Sequence, residues 1–186
     1  MKRLPLPRKV LALTGALEGV PHAFGGALAL AYYAEPRATI DIDLNVFVHG
    51  DRFTDVAEQL APLGVATSPN DDDTATLVQR DGQARVLWDD TPIDLFFAYD
   101  PFHDAAARGL RIVPFADANI PILGPEHLIV CKVIFNRPKD WVDIDAMLEL
   151  ETSVDTAEVM RWVGRIAGDT DQRFERIAAV LTRGGS

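Results

Sequence analysis

Residues 39–48 read Thr-Ile-Asp-Ile-Asp-Leu-Asn-Val-Phe-Val. The alternation puts Ile40, Ile42, Leu44 and Val46 on one face of a strand and Thr39, Asp41, Asp43 and Asn45 on the other. Asp41 and Asp43 therefore leave the same face and converge, while the apolar face, Ile40 included, anchors them in a core. Like charges held this close raise each other's pKa and cost free energy unless a cation offsets them. Hard oxygen ligands presented in this way suit magnesium, which commonly takes one or two carboxylates together with substrate phosphates.

The tripeptide alone does not make a site. Asp143-Ile144-Asp145 repeats it inside a predicted helix, where residues two apart diverge and cannot chelate one ion together. Context adds Asp94, a lone acid in the apolar strand Ile93-Asp94-Leu95-Phe96-Phe97, which is costly if buried without a partner. Asp41, Asp43 and Asp94 together could hold metal ions that activate an attacking hydroxyl and steady a leaving pyrophosphate, with Asp94 as general base. Upstream, Gly25-Gly26 lies between a predicted strand over 22–24 and a predicted helix over 27–34, where glycine lets backbone amides approach a phosphate. Taken alone, the pair reads as a tight turn chosen for its φ angles.

The rest of the chain predicts an α+β protein. A helix over 8–18 ends before Pro21, Pro36 stops the second helix, and residues 51–60 read as a helix with Asp51 as candidate N-cap. After a polar loop over 70–73, strands over 75–80 and 83–88 are expected to form a hairpin at Asp81-Gly82, followed by a strand over 92–98. A helix over 102–108 and a strand over 111–115 follow. The chain then reads as helical over 125–135, 138–150, 152–167 and 171–182, with Pro125 and Pro138 in first turns. The expected organisation is an α/β core over 1–123 and a helical part over 124–186 packed on it.

Composition excludes several classes. The 186 residues, 48% of them hydrophobic, can build a real core, as one domain or a core with a helical appendage. One cysteine, Cys131, can form neither an intrachain disulfide nor a cysteine metal cluster, which fits a reducing cytoplasm. Pro5, Pro7, Arg8 and Lys9 interrupt any signal-peptide apolar run, and the longest apolar stretch, 23–34, is well short of the about 20 residues a membrane helix needs. A net charge of −10 argues against broad nucleic-acid binding. Positive charge clusters at Lys2, Arg3, Arg8 and Lys9, read as a solvated surface, and again at Lys132, Arg137 and Lys139.

Read together, Gly25-Gly26-Ala27-Leu28-Ala29-Leu30, Pro36-Arg37-Ala38-Thr39 and Asp41-Ile42-Asp43-Leu44 resemble the nucleotidyltransferase superfamily, especially the AbiE-type toxins and related small proteins. The superfamily pattern is a glycine pair, a helix, then D-x-D on the next strand; the fourteen residues between Gly26 and Asp41 lie at the long end of that spacing, close to the AbiE-like branch. The resemblance extends through residues 125–132, a helix bearing a lysine, and 137–144, a basic-Asp-x-x-Asp helix. It implies a nucleotidyltransferase-like mixed sheet flanked by helices, a nucleoside triphosphate with Mg2+, and an acceptor that is a tRNA, a protein or a small molecule. It also implies nucleotide-binding or catalytic roles for Lys132 and Asp143, and an antitoxin partner if the chain is a toxin. A catalytically silent binding or regulatory module of the same fold is the alternative.

The residues leave some of these roles open. Lys132 interrupts an apolar face where its charge could reach triphosphate oxygens, or it could snorkel to solvent. Thr39 shares the acid face and could touch nucleotide, whereas structural bonding suits Arg37; Asp140 and Asp143 could cap their helix or pair with Lys139 or Arg137. His22, His49, His103 and His127 have no ligand spacing and are expected at solvated or helix-end positions, and Trp88, Trp141 and Trp162 in a core or interface.

Overall fold

The computed structural model describes residues 3–67, 74–150 and 153–183. The chain divides into two compact units, one of Met1–Leu28 with Ala38–Leu123, the other of Ala29–Arg37 with Gly124–Ser186.

The first unit carries a seven-stranded mixed sheet among the described residues, in the order β3-β4-β5-β2-β1-β7-β6. The strands are β1 (His22–Phe24), β2 (Ile42–His49), β3 (Val65–Thr67), β4 (Gln83–Trp88), β5 (Thr91–Ala98), β6 (Arg111–Phe115) and β7 (Ala118–Ile122). β2 is central, parallel to β5 and antiparallel to β1, while β1 runs parallel to β7. Its Ile42, Leu44 and Val46, with Ile93, Leu95 and Phe97 of β5, are fully buried, so the alternation of both strands drives one face into the core.

Helices α1 (Leu6–Ala16), α3 (Phe53–Leu60), α4 (Thr74–Asp81) and α5 (Pro101–Arg108) belong to this unit. α5 packs against β2 and β5, and α1 against β7 and α3. Lys9 of α1 is buried: its Nζ donates to the Trp88 carbonyl at 2.7 Å and the Thr91 hydroxyl at 3.0 Å and lies 3.1 Å from Asp89. Those contacts hold the β4–β5 turn, where Asp89 adopts φ +53°. Arg3 pairs with Asp90 and Arg8 with Asp117. In the first basic cluster Arg3 and Arg8 are exposed, as expected of a solvated surface, and pair with acids at turns, while Lys9 is buried against the β4–β5 turn.

Several expectations need correction. β2 begins at Ile42, and Ile40, which precedes the first register pair Ile42↔Ile93, is 80% exposed and outside the core. The expected strand over 75–80 is α4, and Asp81-Gly82 is no hairpin: Gly82, at φ +67°, ends the helix with its amide on the Val78 carbonyl at 2.8 Å. A left-handed glycine serves a helix end as readily as a hairpin turn, and Val78 is buried, with its side chain and carbonyl against Gly50. Asp51 does not cap α3; it lies in a 3₁₀ turn over Gly50–Arg52, whose leading residue His49 accepts from the Asp51 amide. β3 and β7 were not expected at all. The loop over 70–73 lies outside the described residues.

The second unit includes α6 (Pro125–Phe135), α7 (Pro138–Glu149), α8 (Thr156–Ala167) and α9 (Gln172–Arg183), with α6 packed against the other three. Pro125 and Pro138 start their helices, where the missing amide costs nothing. α8 starts at Thr156 behind Asp155, whose side chain accepts from the Glu158 amide. The glycine-led helix, α2, runs only over Gly26–Leu30, with turns through Tyr33 rather than a helix reaching Ala34.

Candidate functional site

The sheet register builds the site. β2 and β5 pair Asp43 with Asp94, and β5 and β4 pair Asp94 with Arg85, so the three residues form one row across three strands. Adjacent strands lie about 4.8 Å apart, which brings their side chains side by side. Asp43 and Asp94 are half-buried on the face opposite the core. Arg85 grips Asp94 with both arms of its fork, Nε to Oδ1 at 2.6 Å and Nη2 to Oδ2 at 2.7 Å. The hydrogen bond and charge of Asp94, followed by the charges of Asp41 and Asp43, raise the Arg85 pKa further above its ordinary value despite some burial.

Asp41 lies at the entry to β2, where the Thr39 hydroxyl bonds its carboxylate and lies 3.2 Å from its carbonyl. Thr39 thus orients Asp41, a positioning contact. Asp43 is set against the glycine turn. The Gly25 amide donates to the Asp43 carbonyl at 2.9 Å, and a Cβ on Gly26 would lie 1.7 Å from Asp43 Oδ2. Gly26, at φ +51°, therefore needs to be glycine for two reasons, its backbone conformation and the carboxylate lying over it. Asn45, on the same face, donates to the Ala23 carbonyl at 3.4 Å and packs where a Cβ on Gly25 would fall, 2.9 Å away. The five-residue α2 gives this turn little helix dipole; its backbone shape is what suits a phosphate.

Asp41, Asp43 and Asp94 offer hard carboxylate oxygens, the donors magnesium takes, and the Arg85 guanidinium holds the last of them. The residues fit magnesium in chemistry. Among the described residues no three His, Cys, Asp or Glu side chains converge around one point, and both Asp94 oxygens are engaged by Arg85.

Arg85 escaped the sequence reading, although a signal existed. The β4–β5 turn pairs Trp88 with Thr91, and counting three residues outward from that pair brings Arg85 opposite Asp94.

In the second unit Lys132 and Asp143 form a buried ion pair at 2.6 Å, and Arg37 reaches the same Asp143 oxygen at 3.1 Å. Burial pushes the Asp143 carboxyl up, but the hydrogen bond and charge of Lys132, with those of Arg37, outweigh it and hold the carboxyl below its ordinary value. Two cations against one anion leave this cluster net positive. Lys132 does not snorkel to solvent, and Arg37 is held by its ion pair with Asp143. Asp140, fully buried, is the cap: it accepts from the Arg137 amide at 3.0 Å and from its guanidinium at 2.7 and 3.0 Å.

His22, His103 and His127 are buried, the last two in the first turns of α5 and α6 where a helix-end position was expected, and burial holds the His22 and His103 imidazoles below their usual pKa despite hydrogen bonds to the Val20 and Asp100 carbonyls that act the other way. His49 is exposed at its turn. All three tryptophans are core residues, with the Arg176 guanidinium 3.9 Å above the Trp141 ring. No helix among the described residues is long and apolar enough to cross a membrane.

Solved structures share this fold. The solution structure of the antibiotic-resistance factor ANT(2'')-Ia is 17% identical, with TM-score 0.60 and 95% of each chain covered. Its crystal structure in complex with adenylyl-2''-tobramycin is 16% identical, TM-score 0.54, covering 95% of this chain and 97% of the other. An antigenic nucleotidyltransferase-like protein from Paracoccidioides brasiliensis is 14% identical, TM-score 0.55, covering 95% of this chain and 92% of the other. No curated protein sequence matches the chain.

The mixed sheet with its glycine turn and paired strand acids defines a nucleotidyltransferase fold. Residues 12–183 match the family described as nucleotidyl transferase AbiEii toxin, type IV toxin-antitoxin system, and the chain belongs to that family of nucleotidyltransferases.

Proposed function

We propose that the chain transfers a nucleoside monophosphate from a nucleoside triphosphate to an acceptor hydroxyl, with magnesium held by Asp41, Asp43 and Asp94. The observation that carries this reading is the register that sets Asp94 beside Asp43, on the face Asp41 enters, with the Asp43 carboxylate over Gly26. In the transfer, a bond forms between the acceptor oxygen and the α-phosphorus, the α–β phosphoanhydride bond breaks, and pyrophosphate leaves. Asp94 takes the acceptor's proton. Gly25 and Gly26 offer backbone to the phosphates, and Thr39 holds Asp41 in its orientation. Bound magnesium would supply charge neutralisation at the phosphates and acidify the acceptor hydroxyl.

Lys132 and Asp143 are assigned to nucleotide binding on the family resemblance, supported by the net positive charge of their cluster with Arg37. The family's toxin-antitoxin setting makes an antitoxin the expected protein partner, and the lone cysteine fits a cytoplasmic protein.

One observation favours a second reading: Arg85 occupies both oxygens of Asp94, as it would in a silent module whose acids form only a polar network. Incubation with each nucleoside triphosphate labelled at the α-phosphate, with and without magnesium, against tRNA, protein and aminoglycoside acceptors separates the two. Magnesium-dependent transfer of label supports the enzyme and identifies the acceptor class. Absence of transfer together with metal-independent nucleotide binding establishes the silent module.

A further inference from the structure

The row Arg85-Asp94-Asp43 has an asymmetry that the transfer reaction does not use. Asp94 is the carboxylate flanked on one side by an acid, Asp43, and on the other by a cation, Arg85. A carboxylate gripped at both oxygens by a guanidinium presents few lone pairs to anything else. The grip is not locked in place. The Arg85 side chain is 64% exposed while that of Asp94 is 20% exposed, so Arg85 can swing into solvent without disturbing the core, whereas Asp94 is fixed by the strand. Arginine stays charged at any working pH, so Arg85 is a permanent counter-ion.

The geometry points to Arg85 as a built-in counter-ion that closes Asp94 in the metal-free protein and must release it when a divalent cation enters the carboxylate row. Resting on the metal reading above, the inference makes cation occupancy a competition for one carboxylate. It also explains how three neighbouring acids coexist in the cation-free fold, because the Arg85 charge relieves their mutual repulsion.

The test is Mn2+ binding to the nucleotide-free protein by calorimetry, in wild type, Arg85→Gln and Arg85→Lys. Removing the fork and its charge is expected to tighten Mn2+ binding at least about tenfold in Arg85→Gln, the size of effect one adjacent charge has on an ionic equilibrium. Arg85→Lys keeps the charge but loses the two-armed grip, so its affinity should fall between the two. Lysine matching wild type would reduce Arg85 to a through-space charge, and Arg85→Gln binding Mn2+ no tighter than wild type would overturn the closing role. Asp41→Asn and Asp43→Asn in the same assay isolate the underlying reading. Wild-type binding that needs those acids but ignores Arg85 defeats only this inference, and binding indifferent to the acids defeats both.

Discussion

The tripeptide Asp-Ile-Asp occurs twice, and the two copies do different things. In Asp41-Ile42-Asp43 the acids enter one face of β2 while Ile42 is fully buried, so the pair shares a surface with Asp94 and Arg85. In Asp143-Ile144-Asp145, within α7, Asp143 is buried against Lys132 and Arg37 while Asp145 points to solvent. A period of two collects like residues on a strand and scatters them on a helix. The first copy therefore lies on the surface where Arg85 pairs with Asp94, and the second is divided between a buried ion pair and a surface acid.

Breaking the strand copy should have the largest effect. Asp41→Asn with Asp43→Asn is expected to lower nucleotidyl transfer by a factor on the order of 10^3, several kcal/mol of lost transition-state stabilisation, with little change in the urea midpoint. In the helical copy the consequence is reversed. Asp143→Asn leaves Lys132 charged and buried without its partner, so the stability of the helical unit should fall by about 3 kcal/mol in urea unfolding.

Acid sharpens the same contrast. The Asp143 carboxyl is depressed in the folded chain, so its contribution is complete above the ordinary aspartate pKa of about 3.9 and is lost as pH falls through the lower folded value. Below about pH 4, wild type should lose stability more steeply than Asp143→Asn in chemical unfolding followed by circular dichroism.

Gly26→Ala probes the support of the strand copy. A left-handed alanine costs about 1–2 kcal/mol, and its Cβ also displaces the Asp43 carboxylate, so transfer should drop by at least about tenfold as well. Asp145→Asn, the exposed member of the helical copy, should change stability by no more than about 0.5 kcal/mol and leave transfer intact.

Much of this was legible before any coordinates. The faces of β2 followed from alternation, because burying one side of a strand fixes the other, and Asp94 stood out as the lone acid of an apolar run. The starts of α6 and α7 followed from prolines in first turns. The failures share a cause in tertiary context. Residues 75–80 read as a strand beside the Asp81-Gly82 hairpin signal, yet the left-handed Gly82 closes a helix there. β7 is short, with Pro121 inside it, and takes its identity from β1 and β6 on either side. Ile40 satisfies the pattern of its neighbours but has no partner strand. Arg85 was placed on the right strand and still missed, because its meaning lies in cross-strand register, visible only after counting outward from Asp89-Asp90.

The most direct measurement is calorimetric titration of nucleoside triphosphates, with and without magnesium, into wild type, the Asp41→Asn/Asp43→Asn double variant and Asp145→Asn. Magnesium-dependent nucleotide binding is expected in wild type and Asp145→Asn and absent from the double variant. Wild-type magnesium-dependent binding by the double variant would contradict the assignment of the strand acids as the metal site.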